Sequence, residues 1–197
     1  MALIIKNREV VEDRWHTVRA DAQGQVPAPQ DLPHGAVIVP FTYWAEHRDA
    51  LTAARSKADL GIWLAPNDEP AAVLDDIDSV TVLAVDFPAF KDGRGISIAR
   101  LLRERYGWKG EIRAIGDVLR DQIGYMSRCG IDAFAVRADK DIHDALHAFD
   151  ELTVHYQGAF DDPRPLFRRV RRHGATAAAH AGDVALAAAN ALSSSES

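Results

Sequence analysis

From Ala36 onward the chain alternates short, largely apolar runs with longer segments of helical periodicity, and this alternation restricts the fold more than any other feature. Apolar runs at 36–39, 60–65, 80–85, 111–115 and 132–136 read as strands. Apart from a few polar residues, Arg113 the most unusual, they are continuous rather than apolar on every second residue, as expected of strands covered on both faces. Between them lie helical patterns. Thr42 is placed to cap a helix through Trp44, Leu51 and Ala54, and Pro70 suits the first turn of a shorter one. Ile98, Leu101, Leu102 and Tyr106 share a helix face, with Gly107 where a left-handed stop belongs, and Asp117 can cap a helix through Ile123 and Met126 that ends at Gly130. The last helix, opened by Asp139 or Asp141, has the broadest apolar stripe: Ile142, Ala145, Leu146, Phe149, Leu152 and Thr153.

Strand–helix alternation over five units predicts an α/β fold: a five-stranded, mainly parallel sheet with a covering helix after each strand. Five units are too few for an eight-stranded barrel, so the sheet is expected either as an open doubly wound layer or as an incomplete, barrel-like one. The string AIGDVLRDQIGYMSRCGIDAFAV has the pattern of one late unit of a (β/α) barrel. Ahead of the sheet, residues 2–5 and 15–18 are two extended patterns flanking the charged run around Arg8, Glu9, Glu12 and Asp13, and they predict an N-terminal hairpin or edge pair. Gly24, Pro27, Pro29 and Pro33 make 21–35 an irregular arm. The organisation is thus 1–35 hairpin and arm, 36–160 α/β domain, and 161–197 a basic, then Ala/Ser-rich tail expected to be partly disordered.

With 197 residues, a single core is the simplest arrangement. A formal net charge of -6 gives no field for nucleic acid, and no stretch approaches the ~20 apolar residues that cross a bilayer. Cys129 is the only cysteine, which excludes an intrachain disulfide and an all-cysteine metal site in one chain. The expected localisation is cytoplasmic, and no metal is expected.

Polar residues gather just past two predicted strands, the edge of an α/β sheet at which ligands bind. Asp86, Lys91, Asp92 and Arg94 follow the third strand, with Gly93 and Gly95 between them, and could form an anion pocket at a helix entrance. The bland reading is a solvated turn. Arg113 lies within the fourth strand, and Asp121 follows it. Arg113 and Arg120 could grip an anion, or Arg113 could pair with Asp86 or Asp121. The two loops are expected to meet in space and form the functional face. Cys129 sits at a helix end whose dipole disfavours a thiolate and reads as a structural thiol. His143 and His147 are spaced like a zinc pair, but they flank a buried stripe and lack a clear third ligand. The four tryptophans read as core or interface anchors.

The residues Phe90, Asp92-Gly93-Arg94, Ser97, Ala99-Arg100, Leu102-Arg103, Gly110-Glu111, Arg113-Ala114, Asp121-Gln122 and Arg128-Cys129-Gly130 resemble those of a bacterial family of about this length. That family is described as uncharacterised, or as oxidoreductases involved in sulfite reduction. The resemblance implies a role in assimilatory sulfite reduction and sulfate assimilation, with sulfite reductase as a candidate partner. It supplies no catalytic residue and no cofactor. One cysteine cannot hold a sirohaem and iron–sulfur centre, so the chain is expected to be an accessory protein or an oxidoreductase that binds a small anion or sulfite reductase. The alternative is a non-catalytic interaction module for a sulfite reductase complex. A homo-oligomer is left open.

Overall fold

The computed structural model describes residues 2–152 and 154–169. Eight strands form one sheet, in the order β2-β1-β8-β7-β6-β5-β4-β3. The parallel part comprises β3 (Trp15–Thr17), β4 (Ala36–Pro40), β5 (Leu60–Leu64), β6 (Val82–Phe87), β7 (Glu111–Gly116) and β8 (Ala133–Phe134), each paired with the next in sequence. The order never reverses. A doubly wound sheet needs a reversal, so of the two expected arrangements the barrel-like one is found.

The two outermost strands explain the curl. β1 (Leu3–Lys6) pairs antiparallel with β8 and with β2 (Glu9–Glu12), so β2 runs in the same direction as β3. β2 and β3 lie at opposite edges of the sheet, yet only Asp13 and Arg14 separate them in sequence. Three consecutive Cα–Cα steps of ~3.8 Å span at most ~11 Å, so the two edges must come together. One kinked stretch, residues 9–17, therefore closes the sheet, pairing first with β1 and then with β4. The Asp13 N–H donates to the Ala2 carbonyl, and the Asp13 carboxylate accepts the Trp15 N–H at the kink.

This corrects the sequence reading of the N-terminus. The hairpin forms within the charged run, through left-handed Asn7 and Arg8, and residues 15–17 leave it to join β4. Eight strands stand where five were expected. The charged run reads poorly as a strand because Arg8, Glu9 and Glu12 stay exposed at the edge of the sheet and Asp13 meets Arg113 inside the curl, so only Val10 and Val11 carry an apolar signal.

Helices follow the parallel strands. Facing them, Val37, Val39, Ile62, Leu83, Val85, Ile112, Ala114 and Phe134 pack with Trp44, Leu51, Ile98, Leu102, Ile123 and Met126. Alternate strand residues point the other way, where Ile38, Val82, Ala84 and Ile115 form a smaller cluster with Trp15, Trp63 and Ala135 packed against it. Continuous apolar strands follow from having a helix layer outside and this filled interior inside.

α1 (Phe41–Ala54) begins at Pro40, so Thr42 lies in its first turn and caps nothing. The helix after β5 is a 3₁₀ segment, Pro70–Ser79. α2 (Arg94–Glu104) and α3 (Arg120–Arg128) are followed by left-handed Gly107 and Gly130. Asp117 does not cap α3, which starts three residues later, because its carboxylate is committed to the neighbouring loops described below. The final helix is much shorter than its stripe suggested. Asp141 caps α4 (Ile142–Leu146), but one 3₁₀ turn, His147–Phe149, ends it. Leu152 is exposed, and Thr153 lies outside the described residues, as does the tail beyond α5 (Leu166–Arg169).

Candidate binding cleft at the carboxyl ends of the strands

A cleft of about 680 Å³ opens where β6, β7 and β8 end, lined by Thr17, Arg19, Asp86, Ile115, Gly116, Asp117, Ala135 and Arg137 among others. Strand parity brings the polar residues there. Asp86 continues the inward row of Val82 and Ala84, and Arg19 continues that of Trp15 and Thr17.

The Arg19 guanidinium donates to Asp86 Oδ1 at 2.6 Å and lies 5.3 Å from the centroid of the Trp63 ring. Trp63 is fixed by its own indole N–H, which donates to the Val18 carbonyl at 2.9 Å. Asp86 is nearly buried, whereas the Arg19 side chain is 45% exposed. This bond to Asp86 is the only one the guanidinium makes among the described residues, leaving most of its five donors to the cleft and to water.

Asp117 ties the rim together. Its carboxylate accepts the Phe90 N–H from the loop after β6 at 2.9 Å and an Arg137 N–H from the segment after β8 at 2.7 Å. Gln122 of α3 donates to the Phe90 carbonyl, and Arg137 also engages Asp139, whose carboxyl it holds below the usual carboxylate range. Gly116 makes the turn possible. Its φ is +94°, and a Cβ there would stand 2.5 Å from the Phe87 carbonyl oxygen and 2.8 Å from Asp86 Oδ1. Three βα connections are thus locked around one cleft, a preorganised site rather than a loose rim.

The residues singled out from sequence separate into four places. Asp86 lines the cleft. Asp92 and Arg94 pair with each other in the β6–α2 loop, at 2.9 and 2.6 Å, and Arg94 reaches Asn67 in the loop after β5. Arg94 holds the Asp92 carboxyl below its ordinary range, while Lys91 is exposed in the same loop with no ion pair among the described residues. Asp121 lies in the first turn of α3, outside the cleft, beside a second cavity near Tyr125 and Arg128.

Arg113 is inside the curled sheet. It is 2% exposed, donates to both oxygens of Asp13 at 2.9 Å and to Glu111 at 2.8 Å, and lies over the Trp15 ring. Its partners are therefore not Asp86 or Asp121. Asp13 belongs to the kink where the two sheet edges join, so Arg113 fastens that closure. The loops after β6 and β7 do meet, but through Phe90, Asp117 and Gln122 rather than through Arg94 and Arg113.

Arg120 clamps Asp144 and Glu151. Cys129 is buried, and burial pushes its thiol up, against the smaller opposing effect of its hydrogen bond with Tyr125. His143 on α4 and His147 in the 3₁₀ turn after it are exposed, and no group of three or more metal-ligating side chains occurs among the described residues. Sequence reasoning missed Arg19 and Arg137. The period-two row Trp15, Thr17, Arg19 was the available signal for the first, but it was unreadable until β3 was known to pair with β4.

The fold and cleft define a curled, singly wound β/α sheet with a polar site at its carboxyl-end mouth. The chain belongs to a bacterial family of proteins of unknown function (DUF934), whose family model matches residues 61–167. No curated protein and no solved structure matches it.

Proposed function

We propose that the protein binds a small oxyanion in the carboxyl-end cleft and serves assimilatory sulfite reduction as an accessory protein or oxidoreductase. The observation that carries the binding reading is Arg19. It is a guanidinium oriented by Asp86 and by the face of Trp63, with unused donors at the edge of a cleft whose rim is fixed. Planar N–H forks of this kind suit oxyanions, because two parallel donors match two oxygens. Arg137, after β8, also lines the cleft, but its donors are taken up by Asp117 and Asp139, so Arg19 carries the reading. Sulfite enters through the resemblance of residues 87–134 to proteins described as acting in sulfite reduction.

Calorimetric titration of the full chain with sulfite, and separately with sulfate, tests the binding. One saturable site is expected, with affinity reduced at least tenfold in Arg19→Gln while the circular dichroism spectrum is unchanged. No heat with either anion would refute it. Growth of a strain lacking the gene, on sulfate and then on cysteine as sulfur source, tests the pathway. Failure on sulfate alone is expected, and equal growth on both removes the link to sulfite reduction.

A further inference from the structure

Of the two carboxylates that line the carboxyl-end cleft, one keeps an oxygen without a partner. Asp117 uses both of its oxygens on the rim, one for the Phe90 N–H and one for Arg137. Asp86 uses one. Its Oδ1 accepts the Arg19 guanidinium at 2.6 Å, and its Oδ2 accepts no hydrogen bond among the described residues. The side chain is only 8% exposed, but Oδ2 is not sealed off, and it opens on the cleft that Asp86 lines. A carboxylate oxygen that has lost most of its water is strongly favoured to find a donor. The described residues supply none, so the ligand must.

An oxyanion seated on Arg19 meets this carboxylate at once, because Asp86 holds the same guanidinium that binds it. The Thr17 hydroxyl, on the same inward row, also lines the cleft and forms no hydrogen bond among the described residues. A fully ionised oxyanion brings only acceptors and negative charge toward Asp86 and is repelled. One that keeps an O–H donates it to Oδ2, and the repulsion becomes a charge-assisted hydrogen bond. Resting on the oxyanion reading of the cleft, we propose that Asp86 is its specificity-determining residue. The ligand class is then an oxyanion bearing an O–H, such as hydrogen sulfite or hydrogen phosphate, with sulfate and the sulfite dianion excluded. Such a site distinguishes sulfite from the more oxidised sulfate by its proton.

Calorimetry of the full chain with phosphate, sulfate and sulfite is the test. Hydrogen phosphate and sulfate are tetrahedral dianions of similar size, and only the first carries a proton. Phosphate should bind at least tenfold more tightly than sulfate. Sulfite affinity should fall as the buffer is taken above the hydrogen sulfite ionisation, and no histidine lines the cleft, so the pH change acts on the ligand. The tighter of phosphate and hydrogen sulfite names the resident anion. Asp86→Asn replaces an acceptor-only oxygen with an amide that can also donate, and it should bring sulfate to within about threefold of phosphate with an unchanged circular dichroism spectrum. Equal affinity for sulfate and phosphate in the natural chain overturns the proposal. So does a preference that survives Asp86→Asn, and so does an Asn variant that binds neither anion, since Asp86 would then serve only to hold Arg19. Failure to bind any of the three anions is a different result, and it removes the oxyanion reading of the cleft itself.

Discussion

Two arginines project into the curled sheet, one at each end, and they differ in everything except their immediate chemistry. Arg113 and Arg19 each lie near a tryptophan ring and each donate to carboxylate. Arg113 is shut away from water and matched by two carboxylates, one of them on the kink that joins the sheet edges. Arg19 has one carboxylate and is almost half exposed. A guanidinium whose donors are satisfied inside a low-dielectric interior can only hold structure, because any ligand would have to displace a buried carboxylate. One with spare donors at the edge of a cleft can bind.

The comparison breaks most visibly at Arg113. Arg113→Ala strands the Asp13 carboxylate without a cation inside the curl and leaves Glu111 with Lys6 alone, and it should destabilise the fold by about 3–5 kcal/mol, measured by urea unfolding. A loss under about 1 kcal/mol would mean that water reaches the closure and that the two arginines are alike.

Gly116→Ala is expected to cost less, about 1–3 kcal/mol for a non-glycine residue held at positive φ, together with the displacement needed to clear the Phe87 carbonyl and Asp86. Because Asp86 orients Arg19, this variant should also weaken oxyanion binding. Normal affinity in a destabilised protein would show that the cleft does not depend on the turn.

Arg19→Ala should cost less than Arg113→Ala, about 1–2 kcal/mol, because it leaves the one nearly buried carboxylate of Asp86 beside a cleft that water enters, while anion binding is lost. Equal losses of stability and binding would place Arg19 with Arg113 as a structural group.

The smallest effect is expected at Asp132, which accepts from Arg103 at 2.7 Å and from the Ile112 N–H. Burial raises the Asp132 carboxyl above its ordinary range, more than Arg103 draws it down, and burial likewise lowers Arg103. A raised folded-state pKa means the native state binds the proton more tightly than the unfolded chain. Its contribution is therefore fully present below the unfolded carboxylate value and is lost as pH rises through the folded one. Asp132→Asn should flatten that decline as pH rises above the ordinary carboxylate range and leave stability at neutral pH nearly unchanged, because Arg103 keeps the carbonyls of Trp108, Gly110 and Gly130. An undiminished slope would assign the decline to another group.

Much of the order of elements could be read in the residues, for local reasons. The parallel strands β4 to β8 are runs whose burial on both faces favours apolar side chains at most positions, Gly107 and Gly130 mark helix ends through left-handed backbone that few other residues accept, and Asp141 marks a helix start by accepting the His143 N–H. Asp86 could be located because it ends such a run. The extent of the last helix could not, since the stripe from Ile142 to Leu152 specifies a face without saying that a turn at Phe149 would leave its second half in water.

Closure and the division of roles among charged residues were decided only in three dimensions. Asp13 and Arg113 are a hundred positions apart and meet because residues 9–17 serve both edges of the sheet. Arg19 reaches Asp86 across 67 positions for the same reason. Local patterning fixes which residues become strands and helices, because propensity and periodicity act over a few neighbours. Which guanidinium is sealed and which faces a cleft depends on partners and on water access, and only the closed sheet supplies them.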